Sequence, residues 1–179
     1  MAKQLYFGNT PVPYTVSWSG EDRIFLGKCP NSKRLSICQE SNRGEGKPKF
    51  GAPHMVRQRE AIAKCLCDLC GKSIRNSTKV SLSQARPQGH AASPFDILQV
   101  EPLLHRKCAA ICMEWCPSLK DQLATGDLII RQVRSHGCQF ALYSEQGVFE
   151  AVGVRKKAVS HAKVHLQKYT VRDLAWLTG

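Results

Sequence analysis

Apolar and polar residues alternate in short bursts over the first forty positions. Thr15-Val16-Ser17-Trp18 alternates, and Arg23-Ile24-Phe25-Leu26 follows a Gly-Glu-Asp turn, which predicts short strands. Pro11, Pro13 and Pro30 restrict these strands to short or edge positions. Residues 43–53 have the composition of a loop. From Met55 to Leu66 the spacing becomes helical, with Met55, Ala61, Ile62 and Leu66 set against Arg57, Arg59, Glu60 and Lys64. Lys72-Ser73-Ile74 and Lys79-Val80-Ser81-Leu82 predict a hairpin, followed by a Pro/Gly/Ser-rich loop. Pro102 is placed to open a helix that runs to about Trp115 and closes at Pro117. After a Gly126-Asp127 turn, residues 128–130, 139–143 and 148–152 predict three strands, and 162–166 a fourth. Thr170-Val171-Arg172-Asp173 has the form of a capping box, so a short final helix reaches Trp176. The pattern is α+β without an internal repeat. It divides into a basic, β-rich region with a lead-in helix (1–64), a cysteine-rich centre (65–120) and a basic, β-rich segment with a short last helix (121–179).

Composition narrows the classes. The chain has 179 residues, of which 42% are hydrophobic and 22% charged, so it can bury a modest core. No apolar run approaches the roughly 20 residues that span a bilayer. The start, Met1 to Phe7, is too short and too soon polar for a signal peptide, so the expectation is a cytoplasmic protein with no membrane partner. Only 14 residues are acidic, which argues against calcium cages and paired-carboxylate hydrolases. Nine cysteines without an export signal point to metal ligation rather than a disulfide framework.

Cys67-Asp68-Leu69-Cys70-Gly71 is the strongest motif. Two thiolates at this spacing bind one zinc from a tight turn, and the following glycine lets backbone amides point at sulfur. A thioredoxin-like redox pair is the alternative, but it needs a βαβ setting that the pattern does not supply. The second pair is His105 and Cys108 at the start of the predicted helix, where positions i and i+3 share a face. The expected set is Cys67, Cys70, His105 and Cys108 around one structural Zn2+. His105 and Cys116 lie about 16 Å apart along a helix, so one ion cannot take the whole stripe that includes Cys112. Cys112 remains an alternative to His105, and Cys65 to either knuckle cysteine. Cys116 reads as a small hydrophobe and Cys138 as core. Cys29 and Cys38 read as structural thiols, with a second zinc site alongside His54 and Cys65 as the alternative. Four protein ligands leave no open coordination position, so the ion would hold structure rather than do chemistry.

The formal charge is +12, from 26 Lys+Arg against 14 Asp+Glu. Two clusters stand out. Arg43, Lys47 and Lys49 lie in a Gly/Pro-broken loop followed by Arg57 and Arg59, with Gly44, Gly46 and Gly51 available for close backbone approach. From Ala151 to Arg172 no residue is acidic, while Arg155, Lys156, Lys157, Lys163 and Lys168 occur. A polyanion repays such charge through counterion release, and no basic amphipathic helix suits a membrane surface. These ten cations are therefore the expected contacts to RNA or DNA. Trp18, Phe50, Trp115, Tyr143 and Trp176 are candidates for base stacking or, more commonly, core.

Deaminase, P-loop, nucleophile-elbow and H-E-x-x-H patterns are absent. A His-metal finger nuclease would place a catalytic histidine between the ligand pairs, where His90 lies, but its paired histidine and later asparagine are missing. The expectation is a protein that is not an enzyme. Cys67-x2-Cys70-Gly71 with His105-x2-Cys108-x7-Cys116-Pro117 resembles treble-clef zinc-finger proteins of phages and mobile elements. It is also similar to the zinc-finger large-subunit-like protein of type IV CRISPR effector complexes. The likeness spans roughly residues 65–117. It implies a treble-clef finger flanked by short antiparallel β segments, in a non-catalytic ribonucleoprotein subunit that contacts guide RNA or target-flanking DNA and docks on other subunits. The alternative is a protein-interaction module or inhibitor from a phage or mobile element.

Overall fold

The computed structural model describes residues 3–86 and 97–179. Its N-terminal part is a string of short strands. β1 (Leu5–Phe7) pairs with β2 (Thr10–Val12) across a tight turn, and β3 (Val16–Trp18) follows. β4 (Ile24–Lys28) and β5 (Leu35–Gln39) form an antiparallel hairpin. β6 (Pro48–Pro53) lies antiparallel to β3, so the latter half of the predicted 43–53 loop is a strand. Its Pro48 and Pro53 suit a two-stranded ribbon, in which one edge of each strand needs no ladder donor. Gly46 serves the turn before it: φ is +80°, and a Cβ there would lie 2.1 Å from Ser19 Oγ.

α1 (Met55–Lys64) starts on His54, whose Nδ1 accepts from the Arg57 amide at 3.2 Å. The helix matches expectation in place but not in orientation. Arg57 and Arg59, assigned from sequence to its wet face, are buried along with Ala61 and Ile62. Arg57 forms a bidentate pair with Glu21, NH1 to Oε1 at 2.5 Å and NH2 to Oε2 at 2.7 Å. Its remaining donors reach the Tyr14 and Val16 carbonyls. Glu21 also accepts the Trp18 and Asn42 amides. Burial pushes the Glu21 carboxyl up, but Arg57 and the Trp18 amide outweigh it and hold it below the usual carboxylate range.

β7 (Lys79–Ser83), β8 (Ile97–Gln99) and β9 (Leu104–His105) come next. The predicted hairpin of Lys72–Ile74 with Lys79–Leu82 does not form. The Ile74 amide donates to Cys65 O, and a single bridge joins Leu66 to Ser73, so this stretch folds back on the cysteine turn. β7 pairs instead with β9 and with β10 (Ile129–Leu142). α2 (Arg106–Trp115) begins four residues after Pro102, not at it, because Leu104–His105 is drawn into the sheet. Pro117 does end that helix and also opens α3 (Pro117–Ala124) as its first residue.

β10 is one 14-residue strand where two were predicted; its pattern is broken by register shifts between Val133 and His136 and by Arg131. Arg131 is a core residue whose guanidinium donates to Ala85 O at 2.7 Å and lies over the Tyr169 ring. Residues 148–152, expected as a strand, belong to α4 (Glu145–Val152), capped by Ser144 Oγ and ended by Gly153 in the left-handed region. Val148 packs with Ile37 and Val159, and Val152 lies against them; Val148 and Val152 are four apart, a helical rather than strand spacing. β11 (Ser160–Arg172) extends the predicted fourth strand to 13 residues and pairs with β10 along its length. Its other edge meets β5 at Ser160 and β8 at Val164–Leu166. α5 (Leu174–Thr178) is capped by Asp173, which accepts the Trp176 amide at 2.8 Å, while Thr170 lies in β11.

The seven-stranded sheet runs β4-β5-β11-β10-β7-β9, with β8 beside β11. One core cluster joins Ile62, Cys67, Leu69 and Ile74 to Val80 of β7, Met113 of α2, Ile130 of β10, Leu166 of β11 and Leu177 of α5. It crosses both boundaries read from the sequence, 64/65 and 120/121. The chain is α+β with a Cys/His cluster at the edge of its main core, into which Cys67 is buried. Among the described residues, no helix is long and apolar enough to cross a membrane.

Candidate metal centre

Cys67, Cys70, His105 and Cys108 come together as the sequence predicts, with one donor atom from each lying within 4.8 Å of all the others. Cys67 and Cys70 sit on a tight turn after α1, closed by Gly71 N to Cys67 O at 2.9 Å and Cys67 N to Lys72 O at 2.8 Å. Gly71 has φ +67°, which a glycine adopts without strain. His105 is the residue preceding α2, and Cys108 lies in its first turn. Pairing of Lys79 with His105 positions the second ligand pair beside the first.

The spacing suits a tetrahedral ion. Zinc–sulfur and zinc–nitrogen bonds of about 2.3 and 2.0 Å put S···N edges near 3.5 Å and S···S edges near 3.8 Å. The Cys70 Sγ–His105 Nδ1 distance is 3.5 Å and that from Cys108 Sγ is 3.8 Å. His105 Nε2 lies 3.1 Å from Ser73 O. A proton on Nε2 donates to that carbonyl and leaves Nδ1 to ligate, which is the outer-shell arrangement a ligating histidine needs. The backbone at Cys70 and His105 favours the Cys67 thiolate, and that at Lys72 the Cys70 thiolate. Cys108 as neighbour and burial both push the Cys67 thiol up; a divalent cation reverses this, because it deprotonates the thiols it binds. The residues fit one structural ion held by three sulfurs and one nitrogen, and four ligands complete its shell.

The other cysteines stand apart from it. Cys65 caps α1 in the left-handed region, with Sγ 3.8 Å from His136 Nε2. Cys112 lies on α2 outside the donor cluster, and Cys116 lines an apolar groove. Cys138, read from sequence as core, is exposed on β10. Cys29 and Cys38 are buried around Arg59, which donates from Nε to Cys29 Sγ at 3.2 Å. Burial pushes the Cys29 thiol up, but amide and hydroxyl bonds from Ser32 and the bond from Arg59 outweigh it and hold it below its ordinary value. The alternative second site with His54 and Cys65 is not assembled. His54 uses Nδ1 on the Arg57 amide and Nε2 on Glu40 O, and Cys67, Cys70, His105 and Cys108 are the one such group among the described residues.

The expected cation contacts divide sharply. Arg57 and Arg59 are buried, Arg57 in its ion pair and Arg59 donating to Ile37 O at 2.6 Å, so neither is presented to a phosphate. Arg43 is half-buried over the Tyr14 ring and donates to Lys3 O. Lys49 pairs with Asp22, and Lys157 lies 3.6 Å from Glu145. Lys47, Arg155, Lys156 and Lys168 are exposed, and Lys163 is partly so. Among the aromatics, Trp18 is core, Phe50 and Trp115 are exposed, and the Trp176 ring has the Arg106 and Arg172 guanidiniums 4.8 and 5.3 Å from its centroid. His90 and the Pro/Gly/Ser-rich loop lie outside the described residues.

Lys72, Arg106 and Lys107, which were not singled out from sequence, surround a hollow of about 800 Å³ beside the cluster. Their signal was weak: one cation after the cysteine turn and two at the start of α2, which only the ligand geometry brings together. Comparisons with protein-family models, curated proteins and solved structures found no match to this chain.

Proposed function

We propose that this chain is a zinc-stabilised, non-catalytic nucleic-acid-binding protein that works inside a ribonucleoprotein. The observation that carries the reading is charge without compensation. All 26 Lys and Arg side chains are among the described residues, yet only Lys49, Arg57, Lys64 and Lys157 pair there with a carboxylate. A surface so unbalanced repels itself unless a polyanion covers it. The order of cysteine turn, β7–β9 pair and ligand-bearing helix start supports a treble-clef finger. The type IV CRISPR-like role, with contacts to guide RNA or flanking DNA, extends that reading.

The test is binding of a labelled RNA and a labelled DNA duplex across a salt series. The reading expects log affinity to fall linearly with log salt. Reversal of Arg155, Lys156 and Lys157 together should lower the slope on duplex by about 0.9 for each phosphate no longer neutralised. Absence of binding at low salt would sink it. A second reading, a protein-interaction module, is favoured by one feature. Between the cysteine turn and α2 runs an apolar groove of about 500 Å³, flanked by exposed Phe50, Ile111 and Trp115. It has no Lys or Arg in its lining, while Asp68 and Glu101 are present, which suits an apolar protein segment carrying a positive charge.

A further inference from the structure

We infer that the hollow beside the metal cluster is a phosphate-binding cleft, and that the nucleic-acid footprint therefore crosses the finger itself. This rests on the nucleic-acid reading and adds a site to it. The cleft, about 800 Å³, is lined by Cys70, His105 and Cys108 of the cluster, by the start of α2 and by residues 177–179 at the end of α5. Lys72 follows the Cys67–Cys70 turn, while Arg106 and Lys107 are the first two residues of α2. Ser77 and Thr78 add two hydroxyls, and no Asp or Glu side chain contributes to its lining.

The three cations are arranged differently. Lys72 and Lys107 are exposed, and their ammonium groups make no ion pair or hydrogen bond with the described residues. Arg106 is fixed: its guanidinium sits 4.8 Å from the Trp176 ring centroid and donates to Trp176 O. Arg172 lies 5.3 Å from the same ring and is held by Gln132. The cleft thus has one fixed guanidinium, that of Arg106, and two exposed ammonium groups, with no Asp or Glu among its lining residues. Lysine behaves here as a point charge for phosphate, and the 10-residue helix α2 adds the positive end of its dipole. An open hollow of this size accommodates a phosphodiester with its sugar, and the lining carries no aromatic side chain on which a base could stack except the His105 ring, which the metal centre occupies. The cleft grips backbone.

A competing account is that these lysines only offset the charge of the metal–thiolate cluster. Three thiolates and a neutral histidine leave a zinc centre at −1, which nearby ammonium groups stabilise. The two accounts differ in what a double substitution does.

The experiment measures binding of a fluorescein-labelled 20-nucleotide oligouridylate RNA and a labelled 20-base-pair DNA by anisotropy across a salt series. The proteins are wild type, Lys72→Ala/Lys107→Ala and the control Lys64→Ala/Lys120→Ala. Zinc content and thermal midpoint are measured on each. Expected is a slope lowered by about 1.4 on RNA or about 1.8 on duplex for the cleft variant, with zinc content unchanged and the control near wild type. Lysine acetylation mapped by mass spectrometry should also show Lys72 and Lys107 shielded when RNA is bound. Salt-dependent binding by wild type with an unaltered slope in the cleft variant would overturn the cleft alone. Zinc loss in that variant without RNA shielding of Lys72 and Lys107 assigns the lysines to the metal centre and also overturns it. No binding by wild type would overturn the parent reading.

Discussion

Replacing Arg57 by methionine tests whether this arginine is structural. The substitution preserves most of the side-chain length but leaves Glu21 without its bidentate partner, in a site where both side chains are almost wholly inaccessible. Removing one member of such a pair costs about 3–5 kcal/mol, because the remaining charge stays buried and unpaired. For a chain of this size each kcal/mol moves the thermal midpoint by about 2–4 °C, so a fall of about 6–20 °C is expected. The pH dependence sharpens the test. In the wild type Glu21 is held below its unfolded value, so its contribution is present above about pH 4.3 and is lost as the pH falls through the lower folded value. In the variant, Arg57 no longer opposes burial and the Trp18 and Asn42 amides offset it only in part, so Glu21 rises and the folded state takes up a proton first. The stability gap between the two proteins should therefore narrow between neutral pH and about pH 5. Circular dichroism melts at pH 7.5 and 5 measure it. A midpoint within about 2 °C of wild type at pH 7.5, or a gap that widens on acidification, would refute the argument.

Three further outcomes are expected. Purified protein should hold about one zinc per chain by elemental analysis, with Cys67→Ser losing it and unfolding the cysteine turn while Cys112→Ser keeps it. Burial holds the His54 imidazole below its ordinary value, so stability should fall as the pH drops below about 6.5, when the unfolded chain takes up a proton that the folded one refuses. His136 and His161 are lowered too, and His54→Asn, which keeps a cap for the Arg57 amide, should reduce that slope in urea titrations without abolishing it. Asp173→Ala removes the α5 cap and should cost about 1 kcal/mol, read as a small midpoint shift.

The candidate metal ligands were legible because coordination chemistry prescribes their spacing. Two thiolates on a turn and two ligands around a helix start are a local pattern, needing only the fold to bring the halves together. The strands before and after were legible where apolar residues alternate, as in Val16–Trp18 and Ala162–Leu166. Long-range burial was not. Arg57, Arg59 and Arg131 look like surface residues in any hydropathy pattern, and their burial is made tolerable by partners distant in sequence, among them Glu21, Ile37 O, Ala85 O and the Tyr169 ring. The same limit explains α4, where Ser144 and Gly153 signalled a helix more clearly than the valines signalled a strand. Cys138 failed for the opposite reason: residence in a strand does not say which face is covered.

Cys67 belongs to the same core as Ile130, Leu166 and Leu177, so an ion bound at the cluster would tie the fate of that core to its own supply. A finger tethered by a linker could lose its metal and fray while the rest of its protein persisted. Here the ion's departure would loosen β7, α2 and the central β10–β11 pair together. Even 1–2 kcal/mol of destabilisation can change cellular abundance severalfold through proteolysis. Metal limitation would then be read as disappearance of the protein, with its level tracking available zinc.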